Sequence, residues 1–169
     1  MTFRRVLVLG GARSGKSGFA ERLAAECGEP VVYVATMTAV DEEMAERIAH
    51  HRARRPPSWR TVEASVDVCA ALTRETASTV IIEDLTLLLS NYMERDADSA
   101  EARVNTEVEA LLRIEAHMIV VSNEVGMGVV PPYPLGRQFR DALGRVNQAA
   151  AAACQEVYLI VAGLPLRLK

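Results

Sequence analysis

Short runs of apolar residues alternate along this chain with longer segments whose apolar residues recur at helical spacing. The runs have the length of single strands and occupy residues 6–9, 31–35, 79–82, 118–121 and 157–162. Strands that are apolar on both faces are typical of a parallel sheet covered by helices on each side. We therefore predict a three-layer α/β fold with a mainly parallel sheet.

The final strand is expected to differ from the others. Gly163 forms a turn, and residues 164–168 form a further short strand that contains Pro165. Proline cannot donate a hydrogen bond to a neighbouring strand, so it is tolerated at the edge of a sheet. We expect an antiparallel edge strand at the carboxyl end of the chain.

Cap and breaker residues give the predicted helices their boundaries. Gly28 follows the first helix, Pro56 follows the second, and Ser65 is expected to cap the third. In the last helix we place Asn147 on the polar side. The first four predicted helices run from the first loop to about 26, from 41 to 55, from the Ser65 cap to 72, and from 85 to about 92. One amphipathic helix is predicted within 94–117, and the last helix runs from 135 to 155. Residues 58–63 are predicted to be extended.

Composition restricts the class of protein. The chain has 169 residues, of which 50% are hydrophobic and 24% are charged, and its formal net charge is −3. This size suits one domain over residues 1–169, and the acidic balance speaks against a nucleic-acid partner. The three cysteines are far apart and form no disulfide or metal pattern. No apolar stretch reaches the ~18 residues of a membrane span, so we expect a cytoplasmic protein.

A phosphate-binding motif follows the first apolar run. Residues 10–17 match the pattern G-x-x-x-x-G-K-[ST], in the strand-to-helix context that such a loop needs. Backbone N–H groups and the start of the next helix would surround the phosphates of a nucleoside triphosphate. Lys16 would contact the β- and γ-phosphates, and Ser17 would place a hydroxyl on Mg²⁺. The predicted nucleotide-binding residues of the loop are Gly10, Gly11, Ala12, Arg13, Ser14, Gly15, Lys16 and Ser17.

Two carboxylates, Glu83 and Asp84, follow the third run. In phosphate-loop proteins an acid at the end of such a strand organises Mg²⁺ or contacts the nucleotide. We predict these roles for Glu83, whose carboxylate can also pair with the N1–H and amine of guanine. For Asp84, capping of the next helix is an open alternative. Thr36 ends the second run, where α/β sheets bind ligands.

Two adjacent histidines lie in the helix predicted at residues 41–55. Met44, Ile48 and His51 fall on one apolar stripe, whereas His50 lies on the charged side. We expect His51 to pack and His50 to face solvent or a ligand. Spacing alone does not assign chemistry to His50, because a surface histidine has the same pattern.

A long loop follows the fourth run. It begins with the polar residues 122–124 and continues through glycines and prolines to residue 132. Polar groups at the end of a strand, followed by such a loop, are typical of an element that covers a substrate.

Three segments together are far more specific than a phosphate loop alone. They are residues 10–17, Arg47-Ile48-Ala49-His50-His51 and Asn123-Glu124-Val125-Gly126-Met127-Gly128. In this combination the chain resembles, over nearly its whole length, the bifunctional adenosylcobinamide kinase / adenosylcobinamide-phosphate guanylyltransferase family of cobalamin biosynthesis. Asp84 departs from the pattern of that family.

The resemblance implies a RecA-like phosphate-loop fold, a homotrimer, a corrinoid substrate, and ATP and GTP as substrates with Mg²⁺. It also implies that His50 is the residue guanylylated, which makes His50 and Lys16 the predicted catalytic residues. Ser17 and Glu83 are the predicted Mg²⁺ ligands. Nucleotide contacts are expected, beyond the loop, from Ala35, Thr36, Met37, His51, Arg52, Arg54, Glu63 and Glu83.

Two reactions follow from the resemblance. The aminopropanol hydroxyl of adenosylcobinamide would attack the γ-phosphate of ATP or GTP. His50 would then attack the α-phosphate of GTP, release pyrophosphate and pass GMP to adenosylcobinamide phosphate. Two alternatives stay open: a phosphate-loop small-molecule kinase without guanylyl transfer, and a RecA-like nucleotide-binding module that acts on a partner through hydrolysis.

Overall fold

The computed structural model describes residues 2–37, 52–53 and 55–169. Within these ranges the strands are β1 (Arg5–Gly10), β2 (Val31–Ala35), β3 (Arg60–Glu63), β4 (Thr79–Glu83), β5 (His117–Asn123), β6 (Glu156–Val161) and β7 (Leu164–Arg167). The helices are α1 (Lys16–Cys27), α2 (Val68–Leu72), α3 (Leu85–Arg95), α4 (Ala100–Leu111) and α5 (Pro134–Ala153). The helix predicted at 41–55 falls outside the described residues except for 52, 53 and 55.

The described strands form one sheet in the order β3-β2-β4-β5-β1-β6-β7. All neighbouring pairs are parallel except β6 and β7, which are antiparallel. The predicted parallel sheet with an antiparallel strand at the carboxyl end is therefore confirmed. Strand β5 separates β1, which leads into the phosphate loop, from β4, which ends in Glu83.

Both faces of the sheet are buried, which explains the continuous apolar runs. Alternate side chains of a strand point to opposite faces. Ile81 packs on the face covered by α1, and its neighbour Ile82 packs on the face covered by α3, α4 and α5. Each such side chain, when fully buried, contributes roughly 1.5–3 kcal/mol of hydrophobic stabilisation. None of the described helices is long and apolar enough to cross a membrane.

The prediction of one helix within residues 94–117 is wrong, because a turn and a cluster of hydrogen bonds divide this segment. The carboxylate of Asp96 accepts hydrogen bonds from Asp98 and Ser99, which fixes a turn between α3 and α4. After α4, the Arg5 guanidinium binds the carbonyls of Leu112 and Ile114. The helix therefore covers only Ala100–Leu111.

The prediction that Ser65 caps a helix is also wrong. Helix α2 begins at Val68 after Asp67, which has a positive φ of 52° and makes no side-chain cap. The carboxylate of Glu107, on α4, instead accepts the N–H of Cys69 at 3.0 Å. Glu107, which is 38 positions from Cys69 in the chain, thus accepts a backbone N–H at the start of this helix.

Candidate nucleotide-binding site

The loop between β1 and α1 has the shape that its sequence pattern requires. The backbone turns through positive φ angles at Arg13 (56°) and Gly15 (96°) before α1 begins. At Gly10, a Cβ atom would lie 2.4 Å from Ser14 Oγ and 2.9 Å from the carbonyl oxygen of Ile160. Only glycine fits this close approach, so β1 can turn at once into the loop.

The side chains of Lys16 and Ser17 lie at the start of α1, beside the end of β4. Lys16 is buried, and its Nζ donates a hydrogen bond to the carbonyl of Gly11 at 3.1 Å. Ser17 Oγ donates to Glu83 Oε1 at 2.5 Å. The structure thus brings together the two predicted Mg²⁺ ligands, which are 66 residues apart in the chain.

The Glu83 carboxyl group lies in an environment that disfavours its charge. Burial and, to a lesser extent, the nearby Asp84 raise its pKa from 4.5 to about 8, against the opposing effects of Ser17 and Lys16. Glu83 Oε2 is shielded from solvent and has no hydrogen-bond partner within the described ranges. A cation beside this oxygen would favour the ionised carboxylate and supply the missing partner.

Asp84 has the capping role that the sequence left open. It precedes α3, and its Oδ1 accepts the N–H of Leu87 at 2.9 Å. The side chain is buried, which raises its pKa. A carboxylate committed to a cap is less able to move toward a metal, so Glu83 stays the predicted Mg²⁺ ligand of the pair.

Thr36 joins the end of β2 to the end of β4. Its N–H donates to the carbonyl of Glu83 at 2.9 Å, and its hydroxyl accepts the N–H of Asp84 at 2.8 Å. Thr36 is fully buried, and these hydrogen bonds connect the two strand ends. Ala35 and Met37 flank it and are half-buried. Contacts of these three residues with a nucleotide stay predictions.

The remaining predicted contacts are spread around this site. Glu63 is exposed at the end of β3, in register with Ala35, and Arg52 is exposed. Arg55 stacks on the ring of Tyr33 at 3.7 Å and takes part in the core of the protein. His50, His51 and Arg54 lie outside the described residues.

Asn123, at the end of β5, was not predicted as a site residue. Its side-chain Nδ2 donates to Thr86 Oγ1 at 2.9 Å and to Asp84 Oδ2 at 3.3 Å. Its carbonyl accepts the Nδ2 of Asn147 at 3.0 Å. Asn147 is only 6% exposed, so its prediction as a polar-side residue of the last helix is wrong. The sequence signal that could have identified Asn123 as a site residue was its position at the end of a predicted strand.

The loop after β5 leaves the sheet next to the phosphate loop. The N–H of Glu124 donates to the carbonyl of Gly10 at 3.0 Å. Farther along, Met127 and Val129 are 80% and 95% exposed. Arg137 of α5 holds the end of the loop through the carbonyls of Pro131 and Pro132. An apolar surface therefore borders the candidate site.

The described residues contain no group of three or more His, Cys, Asp or Glu side chains that could hold a metal ion by themselves. This suits Mg²⁺, which is usually bound through one or two protein oxygens together with substrate phosphates and water. Ser17 and the orphaned oxygen of Glu83 are oxygen donors of this type.

Comparisons with known proteins agree on one family. The family model described as cobinamide kinase / cobinamide phosphate guanyltransferase matches residues 6–168. A bifunctional adenosylcobalamin biosynthesis protein CobP from Pseudomonas aeruginosa is 47% identical over 171 residues, which cover 98% of this chain and 97% of that protein. Proteins named CobU from Escherichia coli and Salmonella typhimurium are 41% and 39% identical, and each alignment covers 97% of this chain and 99% of the relative.

A solved structure from Pyrococcus horikoshii OT3 has the same fold, with a TM-score of 0.58 and 12% sequence identity. The alignment covers 98% of this chain and 86% of that one. The phosphate loop, its contact with Glu83 and the full-length match with the curated relatives thus lead to one conclusion: the chain belongs to the cobinamide kinase / cobinamide phosphate guanyltransferase family.

Proposed function

We propose that this chain is itself bifunctional: it phosphorylates adenosylcobinamide with ATP or GTP, and it then transfers GMP from GTP to adenosylcobinamide phosphate. Relatives that match the chain over nearly its full length are named as bifunctional adenosylcobalamin biosynthesis proteins. The observation that carries the proposal is the contact of Ser17 with Glu83 at the start of α1, directly beside Lys16.

In the kinase step, the phosphate loop would hold the triphosphate. The N–H groups at the start of α1 would face the phosphates, and Lys16 would move from the carbonyl of Gly11 to their oxygens. The substrate hydroxyl forms a bond to the γ-phosphorus, and the bond to the β–γ bridging oxygen breaks. Catalysis of this kind depends mainly on positioning and on neutralising charge.

Mg²⁺ would be held by Ser17 and Glu83 together with the phosphates of the nucleotide. When bound, the ion would neutralise charge that develops on the β- and γ-phosphates. Glu83 would then be ionised, although without the ion its burial and the nearby Asp84 raise its pKa to about 8. The guanine contact predicted for Glu83 is the competing role, because one carboxylate cannot serve both ends of a nucleotide at once.

In the guanylyl step, the neutral imidazole of His50 would attack the α-phosphate of GTP. A bond forms between the imidazole nitrogen and the α-phosphorus, the bond from that phosphorus to the α–β bridging oxygen breaks, and pyrophosphate leaves with the electron pair. The phosphate loop suits both steps, since the β,γ group that it grips is the leaving group of the second step. The adduct would then pass GMP to adenosylcobinamide phosphate.

A homotrimer and a single domain are part of this proposal. Support for an assembly comes from apolar side chains on the β6–β7 hairpin, which are more than half exposed in the single chain. These residues are Val161, Leu164, Leu166 and Leu168. Sedimentation of the full chain would give the subunit number.

The experiment uses GTP and Mg²⁺ with and without adenosylcobinamide, followed by intact-protein mass spectrometry and product analysis. We expect one GMP on His50 without the corrinoid, with the adduct stable in alkali and lost in acid. Adduct formation should decline below about pH 6.5, where an unperturbed imidazole becomes protonated. With adenosylcobinamide, the phosphate and the GDP derivatives should form.

Two histidine variants separate the steps. His50→Asn should lose the adduct and guanylyl transfer but keep much of the kinase step, because phosphoryl transfer goes directly to the hydroxyl. His51→Asn should keep the adduct. Kinase activity without any adduct in the wild-type protein would favour a small-molecule kinase, and GMP on His51 would refute the assigned nucleophile.

A further inference from the structure

Asn123 lies at the point where the phosphate loop and the β4 carboxylates come closest together. Strand β5 runs between β1 and β4, and Asn123 is in register with Gly10, the first residue of the phosphate loop. On the other side, Glu83 is in register with Val121. The end of β5 therefore extends two residues beyond Glu83, on the side of the sheet where the phosphates would bind.

The amide of Asn123 has a fixed orientation. The carboxylate of Asp84 is a hydrogen-bond acceptor, so the amide atom that faces it must be the donor Nδ2. The same Nδ2 donates to Thr86 Oγ1, which also accepts the backbone N–H of Asn123. The other amide atom is consequently Oδ1, and the described part of the chain offers it no hydrogen-bond partner.

The rest of the residue is held as firmly as its amide. The backbone carbonyl of Asn123 accepts a hydrogen bond from the buried Asn147, and Asp84 is itself fixed as the cap of α3. Asn123 remains half-buried, so part of its surface is open. Asn123 therefore presents one acceptor oxygen in a fixed position, next to the phosphate loop.

An acceptor oxygen selects its ligand by chemistry. Phosphate oxygens are also acceptors and cannot donate to Oδ1, whereas an alcohol can. We propose that Asn123 Oδ1 accepts the hydrogen bond of the attacking hydroxyl in the kinase step and holds that hydroxyl in line with the γ-phosphate. This inference rests on the proposed function and identifies the residue that receives its alcohol substrate.

In the step itself, the hydroxyl oxygen forms a bond to the γ-phosphorus and the bond to the β–γ bridging oxygen breaks. The nucleoside diphosphate leaves with the electron pair, and the hydroxyl proton passes to water, because an amide oxygen is too weak a base to keep it. Asn123 thus contributes orientation. A reacting group misplaced by about 1 Å can cost on the order of 100-fold in rate.

The guanylyl step makes no use of such a contact. Its nucleophile would be an imidazole nitrogen, and the final acceptor would be a phosphate, neither of which presents the alcohol that Asn123 would orient. The two activities of one protein molecule should therefore respond differently to loss of this amide, whereas damage to the fold or to the phosphate loop would reduce both.

The test measures both activities on the same preparations of wild-type protein, Asn123→Ala and Asn105→Ala. Asn105 lies on α4, and its loss is a matched removal of one amide. For Asn123→Ala we expect kcat of the kinase step with saturating adenosylcobinamide and ATP to fall about 10- to 100-fold. Formation of the GMP adduct from GTP should stay within about twofold, and Asn105→Ala should leave both activities unchanged.

Thr86→Val provides a second route if Asn123→Ala folds poorly. Valine keeps the shape of threonine and removes the acceptor that orients the amide, so the kinase step should fall while adduct formation persists. Equal losses in both activities, or a loss confined to nucleotide KM, would overturn the inference. If the wild-type protein showed no kinase activity, the proposed function would fail instead, so the two failures are distinguishable.

Discussion

The two ends of the parallel sheet use polar side chains in different ways. At the end where the strands begin, the Arg5 guanidinium donates to the carbonyls of Leu112 and Ile114, each at 2.7 Å. Beside it, Arg4 forms a two-pronged pair with Glu156, at 2.8 and 2.9 Å. These polar groups are satisfied by one another, and they tie the ends of β1, β6 and the turn after α4 together.

At the end where the strands finish, buried polar atoms lack partners. Ser14 Oγ, Glu83 Oε2, Ser122 Oγ and Asn147 Oδ1 are shielded from solvent and make no hydrogen bond within the described residues. Such atoms cost free energy, and native proteins keep few of them. The polar groups at the first end stabilise the fold, whereas we expect ligands at the phosphate loop to supply partners for those left unpaired at the second end.

The largest effect is expected from Lys16→Ala, which removes the cation predicted to contact the β- and γ-phosphates. Both activities should fall by at least about 100-fold, the scale seen when one charge-stabilising group is lost. The matched control is Lys169→Ala, because the Nζ of Lys169 donates to the carbonyls of Ala151 and Ala152 at the end of α5, away from the phosphate loop. Near-normal kinase turnover in Lys16→Ala would remove the phosphate-loop assignment.

Arg5→Ala, at the end where the strands begin, is expected to reduce stability rather than activity. This change leaves several carbonyls without their donor, and each unsatisfied group costs roughly 1–3 kcal/mol. We expect a loss of about 3 kcal/mol in denaturant unfolding, with unchanged activity per folded molecule. Arg113→Ala removes an exposed arginine that forms an ion pair with Glu109 at 3.6 Å, and it should change stability by less than about 0.5 kcal/mol. An equal loss in both variants would contradict the comparison.

Glu83→Gln should change the pH dependence of stability in the absence of nucleotide. The folded-state pKa of Glu83 is about 8, above the ordinary 4.5, so the folded protein binds the extra proton between these values. The contribution of Glu83 to the free energy of unfolding is therefore fully present below about pH 4.5 and is lost as pH rises through 8.

Unfolding of wild-type protein and Glu83→Gln should therefore be measured at about pH 5.5 and pH 8. The wild type should lose up to a few kcal/mol more than the variant over this interval, since one pKa unit corresponds to about 1.4 kcal/mol. The difference between the two proteins isolates Glu83 from the other acids. Parallel stability profiles would show that the environment of Glu83 is not the cause.

The smallest expected effect on stability comes from removing one buried hydroxyl at each end of the sheet. Thr79 and Ser122 are both fully buried, but Thr79 Oγ1 donates to the carbonyl of Gly28 at 2.8 Å, whereas Ser122 Oγ has no partner in the described chain. Thr79→Val should cost about 1 kcal/mol, and Ser122→Ala should be neutral or slightly stabilising. Thermal unfolding of both variants decides this, and a larger loss for Ser122→Ala would count against it.

The sheet was predictable because its central strands are buried on both faces, which leaves a continuous apolar run in the sequence. The phosphate loop was equally readable, since its glycines, Lys16 and Ser17 are neighbours in the chain. The capping alternative for Asp84 was visible for the same reason. Local signals sufficed wherever the physical cause was local.

The errors arose where the cause is distant in sequence. The start of α2 is satisfied by Glu107, and the segment after α4 is held by Arg5, so neither boundary is visible from neighbouring residues. The burial of Asn147 depends on the carbonyl of Asn123, which only the packing of α5 on β5 brings close. The contacts of Asn123 with Asp84 and Thr86 were hidden for the same reason.

Hydrogen–deuterium exchange with and without GTP and Mg²⁺ tests the difference between the two ends most directly. We predict slower exchange, on ligand addition, at residues 10–17, 83–87 and 122–124, where the sheet is left incomplete. Exchange should stay unchanged at residues 4–6, 117–119 and 156–158, where the polar groups are already paired. Protection confined to the second set, or no protection of residues 10–17 at saturating GTP, would contradict the account.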